Sequence, residues 1–118
     1  MTDDERERHL SRVARFEAMK QAEPDDLLIR FGLATEQFAL GNYPAAGDEA
    51  RHAIRIKHDY SAAYLLLGRA LYLAGEIDEA EQVLTEGNTL AERVGDLMPA
   101  REMRAALRRI SADRAGST

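Results

Sequence analysis

The chain has 118 residues, a net charge of −5 and a pI near 5.2, and it contains neither cysteine nor tryptophan. This length fits one domain with a modest core, and the absence of cysteine excludes disulfides and thiolate metal sites. The acidic balance argues against binding of nucleic acid by the whole surface, and the 6% aromatic content argues against a base-stacking platform.

Composition favours an all-α protein. Alanine is the commonest residue with 20 copies, and arginine, leucine and glutamate are also abundant. The first ten residues, MTDDERERHL, lack the apolar core of a signal peptide. No apolar run approaches the roughly 20 residues of a membrane span. We therefore expect a cytoplasmic protein.

The apolar spacing predicts six helices. In the first, at 4–22, apolar residues from Leu10 to Met19 recur every three positions, and the helix ends before Pro24. Asp25 or Asp26 can cap the second helix, which ends near residue 40. The remaining helices are predicted at 44–56, 61–74, 78–94 and 97–111, separated by a Gly41-Asn42 turn, the short connection at 57–59, the glycine turn near Gly75, and Gly95-Asp96.

One stretch of the chain occurs twice. LATEQFALGNYPAA at 33–46 returns as LGRALYLAGEIDEA at 67–80, with Gly41 aligned to Gly75 and Phe38 to Tyr72. We call the 34-residue offset between these copies the repeat spacing. An up-and-down bundle has no reason to repeat a helix-turn-helix spacing, whereas a repeat array must. The repeat therefore favours an array of helix pairs.

The repeated block resembles the tetratricopeptide repeat (TPR), a 34-residue unit of two antiparallel helices. The second copy matches the family pattern at Tyr64, Leu67, Gly68, Leu71, Gly75, Ile77, Ala80 and Leu84. The first copy matches it at Leu33, Ala34, Gly41, Tyr43, Ala46, Ala50 and Ala53, but Arg30 stands where an aromatic is usual. The order of elements also resembles small stand-alone bacterial TPR proteins.

The resemblance implies one domain, a right-handed α-solenoid of TPR helix-turn-helix repeats with about six antiparallel helices. Its parts are an N-terminal helix at 4–22, repeat one at 25–58, repeat two at 59–93, a C-terminal capping helix at 96–112 and a flexible tail at 113–118. Small residues at Ala34, Gly68, Ala46 and Ala80 are expected where paired helices cross closely.

The first helix looks like the second half of a truncated repeat. Phe16, Ala50 and Leu84 follow one another at the repeat spacing, as do Met19, Ala53 and Gly87. Gly87-Asn88 departs from the family pattern, which prefers alanine and an apolar residue there. We therefore expect the last helix to cap the array and no standard third repeat.

No pattern in the chain indicates an enzyme. His9, His52 and His58 lack the spacing of a metal pair on one helix face, and we interpret them as surface imidazoles. The carboxylates follow helix surfaces, and there is no glycine-rich phosphate loop or G-x-S-x-G motif. We expect no catalytic residue, metal or cofactor.

In a TPR array the first helix of each pair lines a concave groove. The resemblance places seven residues there: Leu28, Phe31, Thr35, Phe38, Leu65, Arg69 and Tyr72. This apolar strip with one cation suits an amphipathic helix or an extended peptide with an acidic residue. Alternatively, the first or last helix, or a second copy of the chain, covers it. The lysine and asparagine clamp for acidic chaperone tails is missing, because those positions hold Phe31, Thr35, Leu66 and Arg69.

A second candidate surface lies on the last helix. Arg101, Arg104 and Arg108 are spaced i, i+3, i+7, and Arg109 lies nearby. These arginines form either a docking stripe for an anionic partner or a charged border whose stems cover apolar surface.

The hypothesis favoured by these patterns is a protein-interaction module, an adaptor or scaffold that holds a helix or peptide of a partner protein. A homo-oligomer that uses the groove for self-association is the alternative. The third hypothesis is a regulator whose arginine stripe binds an anionic partner, including nucleic acid.

Overall fold

The computed structural model describes residues 1–116, and these form six α-helices and no β-strand. The helices are α1 (Asp3–Ala22), α2 (Leu27–Ala39), α3 (Tyr43–Ile56), α4 (Ser61–Leu73), α5 (Ile77–Val94) and α6 (Leu97–Gly116). The all-α prediction is confirmed, and the ends predicted for α1 to α5 lie within one residue of those observed. Within the described residues, none of the helices combines the length and the apolar character that crossing a membrane requires.

The helices stack in chain order. Each packs against its neighbours along the sequence, and α4 also contacts α2 and α6. Among residues 1–116, α1 and α6 make no packing contact, so the helices do not close into a bundle. The molecule is flat, with extents of 44 × 34 × 20 Å. This open stack is the helical repeat array that the repeat spacing predicts.

The same turn ends the first helix of each pair. The N–H of Gly41 donates to the Phe38 carbonyl over 3.0 Å, and the N–H of Gly75 donates to the Tyr72 carbonyl over 3.1 Å. Gly41 and Gly75 have φ values of +80° and +86°, a region that strains any residue with a Cβ. The two predicted turns are confirmed.

Arg30, which breaks the family pattern, makes the same kind of contact as Tyr64, its counterpart in the second repeat. The Nε of Arg30 donates to the Pro24 carbonyl over 2.7 Å, and the Tyr64 hydroxyl donates to the His58 carbonyl over 3.0 Å. In both repeats the donor binds the backbone six residues before it. Arg30 also pairs with Glu49 of α3 at 3.0 Å. The guanidinium thus keeps the connection to the preceding loop and adds an ion pair.

Paired helices approach each other where the chain carries glycine. A Cβ on Gly68 would lie 2.3 Å from Leu84, and one on Gly87 would lie 2.6 Å from the Cβ of Tyr64 and 2.7 Å from the sulfur of Met103. These distances are too short for a real Cβ. Tyr64 and Met103 fill the space that the methyl group of an alanine would need, and this explains why position 87 is glycine. The small residues Ala34, Ala46 and Ala80 are fully buried, as expected for close crossings.

Polar contacts attach α1, which contains no buried residue. Glu36 of α2 accepts hydrogen bonds from His9 at 2.5 Å and from Arg12 at 2.7 Å, and Lys20 pairs with Glu49 at 3.2 Å. His9 is therefore half-buried and hydrogen-bonded to Glu36, and the interpretation of His9 as a surface imidazole was wrong. Burial opposes ionisation of Glu36, but the hydrogen bonds from His9 and Arg12 outweigh it and lower the pKa of Glu36.

The flexible tail predicted at 113–118 is wrong for residues 113–116, which continue α6; residues 117 and 118 lie outside the described residues. Asp113 accepts a hydrogen bond from the Tyr72 hydroxyl, and Arg114 pairs with Asp78 and with Glu81. These long-range contacts hold the last turn of α6 against α4 and α5.

We predict that Gly87→Ala destabilises the protein by about 1–3 kcal/mol, because the new methyl group overpacks against Tyr64 and Met103. The matched control is Gly47→Ala, where a Cβ meets only Leu67 at 3.5 Å. That substitution should stabilise the protein by about 0.5–1 kcal/mol through helix propensity. Urea unfolding followed by circular dichroism measures both, and a stabilised Gly87→Ala variant would show that the crossing is looser than described.

We predict that Glu36 stabilises the fold in a pH-dependent manner. A carboxyl whose pKa is lowered on folding stabilises the folded state above its unfolded pKa of about 4.5, and this contribution is lost as the pH falls through the folded pKa. The difference in unfolding free energy between wild type and Glu36→Gln should therefore be largest above about pH 5 and shrink towards pH 3. Exposed Glu7→Gln is the control; a Glu36→Gln difference that is constant across this range contradicts the prediction.

Candidate partner-binding groove

A cavity of about 590 Å³ opens between α2, α4 and α6. Fully buried Leu84 of α5 forms part of its floor. We call it the groove cavity, and its lining consists of Phe38, Arg69, Tyr72, Leu73, Leu84, Glu102, Ala105, Ala106 and Arg109. The helix predicted as a cap, α6, therefore supplies one wall of the cavity.

The structure brings together three of the seven residues predicted for the groove: Phe38, Arg69 and Tyr72. The end of α2 carries Phe38, whose ring meets Tyr43 edge to face at 5.4 Å. Tyr72 occupies the same place at the end of α4, one repeat later. Because both helices end in the same glycine turn, their last turns present an aromatic ring to the same cavity.

The other four predicted residues lie elsewhere. Leu28 is 71% exposed near the start of α2, and Phe31 stacks edge to face on Tyr60 at 5.1 Å. The Thr35 hydroxyl donates to the Phe31 carbonyl in its own helix. Leu65 is buried in the hydrophobic core, so its placement in an open groove was wrong. Of the predicted strip, only Phe38, Arg69 and Tyr72 line the groove cavity.

The groove cavity carries two cations, where the sequence predicts one. The closest approach of Arg69 to Glu102 is 3.9 Å, a loose pair between half-exposed side chains. Arg109 of α6 also lines the cavity, beside Tyr72. Polar groups thus surround an apolar centre.

The groove prediction missed Leu73 of α4, Leu84 of α5 and the whole wall that α6 supplies, which consists of Glu102, Ala105, Ala106 and Arg109; of these, Arg109 was predicted only as part of the arginine stripe. The wall from α6 is the largest of these omissions. The signal that could have found this wall is the offset between the first residues of α4 and α6, which are Ser61 and Leu97. When the two helices are aligned from these residues, buried Met103 takes the place of buried Leu67. Because α5 is longer than α3, this offset exceeds the repeat spacing, and a comparison at the repeat spacing does not detect the relation.

The four arginines of the predicted stripe do not form one surface. Arg104 pairs with Glu92 of α5 at 2.8 Å, and Arg109 lines the groove cavity. Arg101 and Arg108 are exposed on the outer side of the helix. The stripe predicted from spacing is thus divided between an ion pair, the cavity and solvent.

A larger depression of about 970 Å³ follows α5. Asp78, Glu81, Glu86 and Arg93 interrupt its apolar lining, so it lacks a continuous apolar surface. Within residues 1–116 no group of three or more histidine or carboxylate side chains is arranged to hold a metal ion. The groove cavity is therefore the candidate site.

Comparison with known proteins gives a consistent result. The model of the family described as tetratricopeptide repeat matches residues 37–90. TPR repeat-containing protein PA0015 of Pseudomonas aeruginosa is 32% identical over 86 residues, which are 73% of this chain and 82% of that protein. The solution structure of protein BPP2914 from Bordetella parapertussis is 30% identical with a TM-score of 0.78, and the match covers 87% of this chain and 90% of that one.

A more distant structure shares the fold. The crystal structure of PcrH in complex with the chaperone binding region of PopD has a TM-score of 0.79 at 16% identity, and the match covers 97% of this chain and 96% of that one.

We predict that Asp113 controls the titration of Tyr72. The hydrogen bond to Asp113 raises the pKa of Tyr72, because ionisation would break that bond and set two negative charges together; Arg109 acts in the opposite direction. Asp113→Asn should therefore lower the pKa of Tyr72, measured from phenolate absorbance as the difference between each protein and its Tyr72→Phe derivative. Asp3→Asn, at the far end of the chain, is the control. An unaltered titration in Asp113→Asn would mean that the end of α6 does not lie against the cavity.

Proposed function

Because the chain belongs to the tetratricopeptide repeat family, we propose that it is a protein-interaction module that binds a helix or extended segment of another protein in the groove cavity. The observation that carries the proposal is an apolar cavity with aromatic side chains from two repeats, flanked by arginines. In this role the protein acts as an adaptor or scaffold in the cytoplasm and requires neither a cofactor nor a catalytic residue.

Apolar burial supplies the main affinity in this proposal. Phe38 and Tyr72 are half-buried, and Leu73 is 50% exposed, so each retains surface that a ligand can cover. Full burial of such a side chain contributes about 1.5–3 kcal/mol, and aromatic side chains in pockets are typical anchors of protein interfaces.

In this proposal, Arg69 orients the ligand in the groove cavity. Since its pairing with Glu102 is long, its guanidinium can turn to an acidic side chain of the ligand at little cost. Arg109 offers a second donor on the opposite wall. A bound segment with an acidic residue beside its apolar ones would place the apolar side chains against the centre of the cavity and pair the acidic one with Arg69 or Arg109 at its border.

The solved complex of PcrH with a region of PopD supports this mode of action, since it shows that a protein of the same fold holds a segment of another protein. The four arginines of the predicted stripe, which are separated in the structure, give no such support to a regulator that binds nucleic acid.

The proposal is tested with a partner captured by crosslinking, whose binding segment is then titrated as a synthetic peptide by calorimetry. We predict that Phe38→Ala and Tyr72→Ala each weaken binding by about 1–3 kcal/mol. The matched control is Leu97→Ala, which removes an apolar side chain that is 72% exposed and outside the cavity; its affinity should stay within about twofold.

Equal binding by wild type and both aromatic variants would refute the groove as the site. Light scattering over a range of concentrations tests the alternative hypothesis, a homo-oligomer that uses the groove cavity for self-association. A dimer of twice 13.2 kDa that Phe38→Ala and Tyr72→Ala dissociate would assign the cavity to self-association.

A further inference from the structure

The outer side of α1 has the pattern of a helix-packing face, but no helix within residues 1–116 packs on it. The repeat spacing places Phe16 with Ala50 and Leu84, and Met19 with Ala53 and Gly87. Ala50, Ala53 and Leu84 are fully buried, and Gly87 is covered by Tyr64 and Met103. Met19, by contrast, is 49% exposed, and no residue of α1 is buried.

The difference has a simple origin. In the second repeat, Leu84 and Gly87 of α5 meet Gly68 and Tyr64 of α4, the first helix of the same pair. In the described chain α1 follows no such helix, and the ring of Phe16 instead lies on Gly32 of α2, where a Cβ would be 2.5 Å away. Among residues 1–116, Phe16 and Met19 therefore lack the contact with a first helix that Leu84 and Gly87 make in the second repeat.

The outer side of α1 forms a notch of about 230 Å³, lined by Arg12, Arg15, Phe16 and Met19. Arg8, Arg12, Arg15 and Met19 follow the i, i+4, i+7, i+11 spacing of one helix face. Arg12 is engaged with Glu36, but exposed Arg15 forms no ion pair with any residue in the range 1–116. An apolar notch is thus bordered by positive charge on a protein whose net charge is −5.

We propose that this notch binds an amphipathic helix of a partner protein, with apolar side chains on Phe16 and Met19 and acidic side chains beside Arg15 and Arg8. The partner helix would pack on α1 in the way that α4 packs on α5. The complementarity of acidic side chains to the arginines selects this occupant.

A second copy joined end to end does not fit. Such a copy would have to pack against α6 beside Arg104, which pairs with Glu92 of α5 and takes the position that Gly68 has in α4 when both helices are counted from their first residues. An arginine side chain is too large for the close helix crossing that Gly68 allows. In addition, exposed Arg101 and Arg108 would face the arginines of α1. Steric bulk and like charge therefore both oppose this junction.

The experiment uses two fluorescent helical peptides of about 15 residues, long enough to retain some helix in solution. Both carry the same leucine and alanine face; one is flanked by glutamates and the other by lysines. We expect the glutamate peptide to bind the whole protein and the lysine peptide to bind at least about tenfold more weakly by fluorescence anisotropy.

Variants then locate the site. Met19→Glu and Arg15→Glu should each weaken the glutamate peptide by about tenfold or more, and Arg15→Glu should also reduce the preference over the lysine peptide. Arg108→Glu is the matched charge reversal on exposed surface of α6, and Phe38→Ala reports on the groove cavity; both should bind as wild type does. Circular dichroism verifies that each variant is folded.

Three results would overturn the proposal. The first is no binding of the glutamate peptide, or equal binding by wild type and Arg15→Glu. The second is loss of binding in Phe38→Ala alone, which would assign the peptide to the groove cavity. The third is a dimer that Met19→Glu dissociates, which would make a second copy the occupant.

Discussion

The close crossing of paired helices is the constraint on which the other features of the molecule depend. Because Gly68 and Gly87 carry no Cβ, α4 can lie directly against Leu84, and Tyr64 and Met103 can both pack on Gly87. A wider separation would leave Leu84 without its packing and would move α6 away from α4. The width of the groove cavity, whose walls stand on these helices, is thus set by residues that no ligand touches.

Features that depend on residue type alone were predictable from the sequence. The turns at Gly41 and Gly75 need a positive φ, which marks them for glycine, and the fully buried alanines occur where the crossing excludes larger side chains. The helix ends follow from the same local signals. This covers the six helices and the aromatic pair of the cavity, Phe38 and Tyr72.

Features that depend on distant partners were not predictable. Glu36 meets His9, 27 residues away, and Asp113 meets Tyr72, 41 residues away. Since nearly every helix surface here carries arginine and glutamate, their spacing does not indicate which ones will pair. For the same reason Arg109 of the predicted stripe turned out to line the cavity. Arg30 illustrates the limit, because its departure from the family pattern conceals a hydrogen bond that the pattern's aromatic also makes.

The position of α6 has a consequence for the order in which the parts of the groove cavity form. Contacts are made mainly between consecutive helices, so a chain emerging from the ribosome can fold its first pair before the second has been synthesised. The groove cavity, however, has no second wall until α6 docks on α4 and α5. Folding can therefore begin during translation, whereas the groove cavity is complete only after α6 has docked, because α6 supplies the wall that carries Glu102 and Arg109.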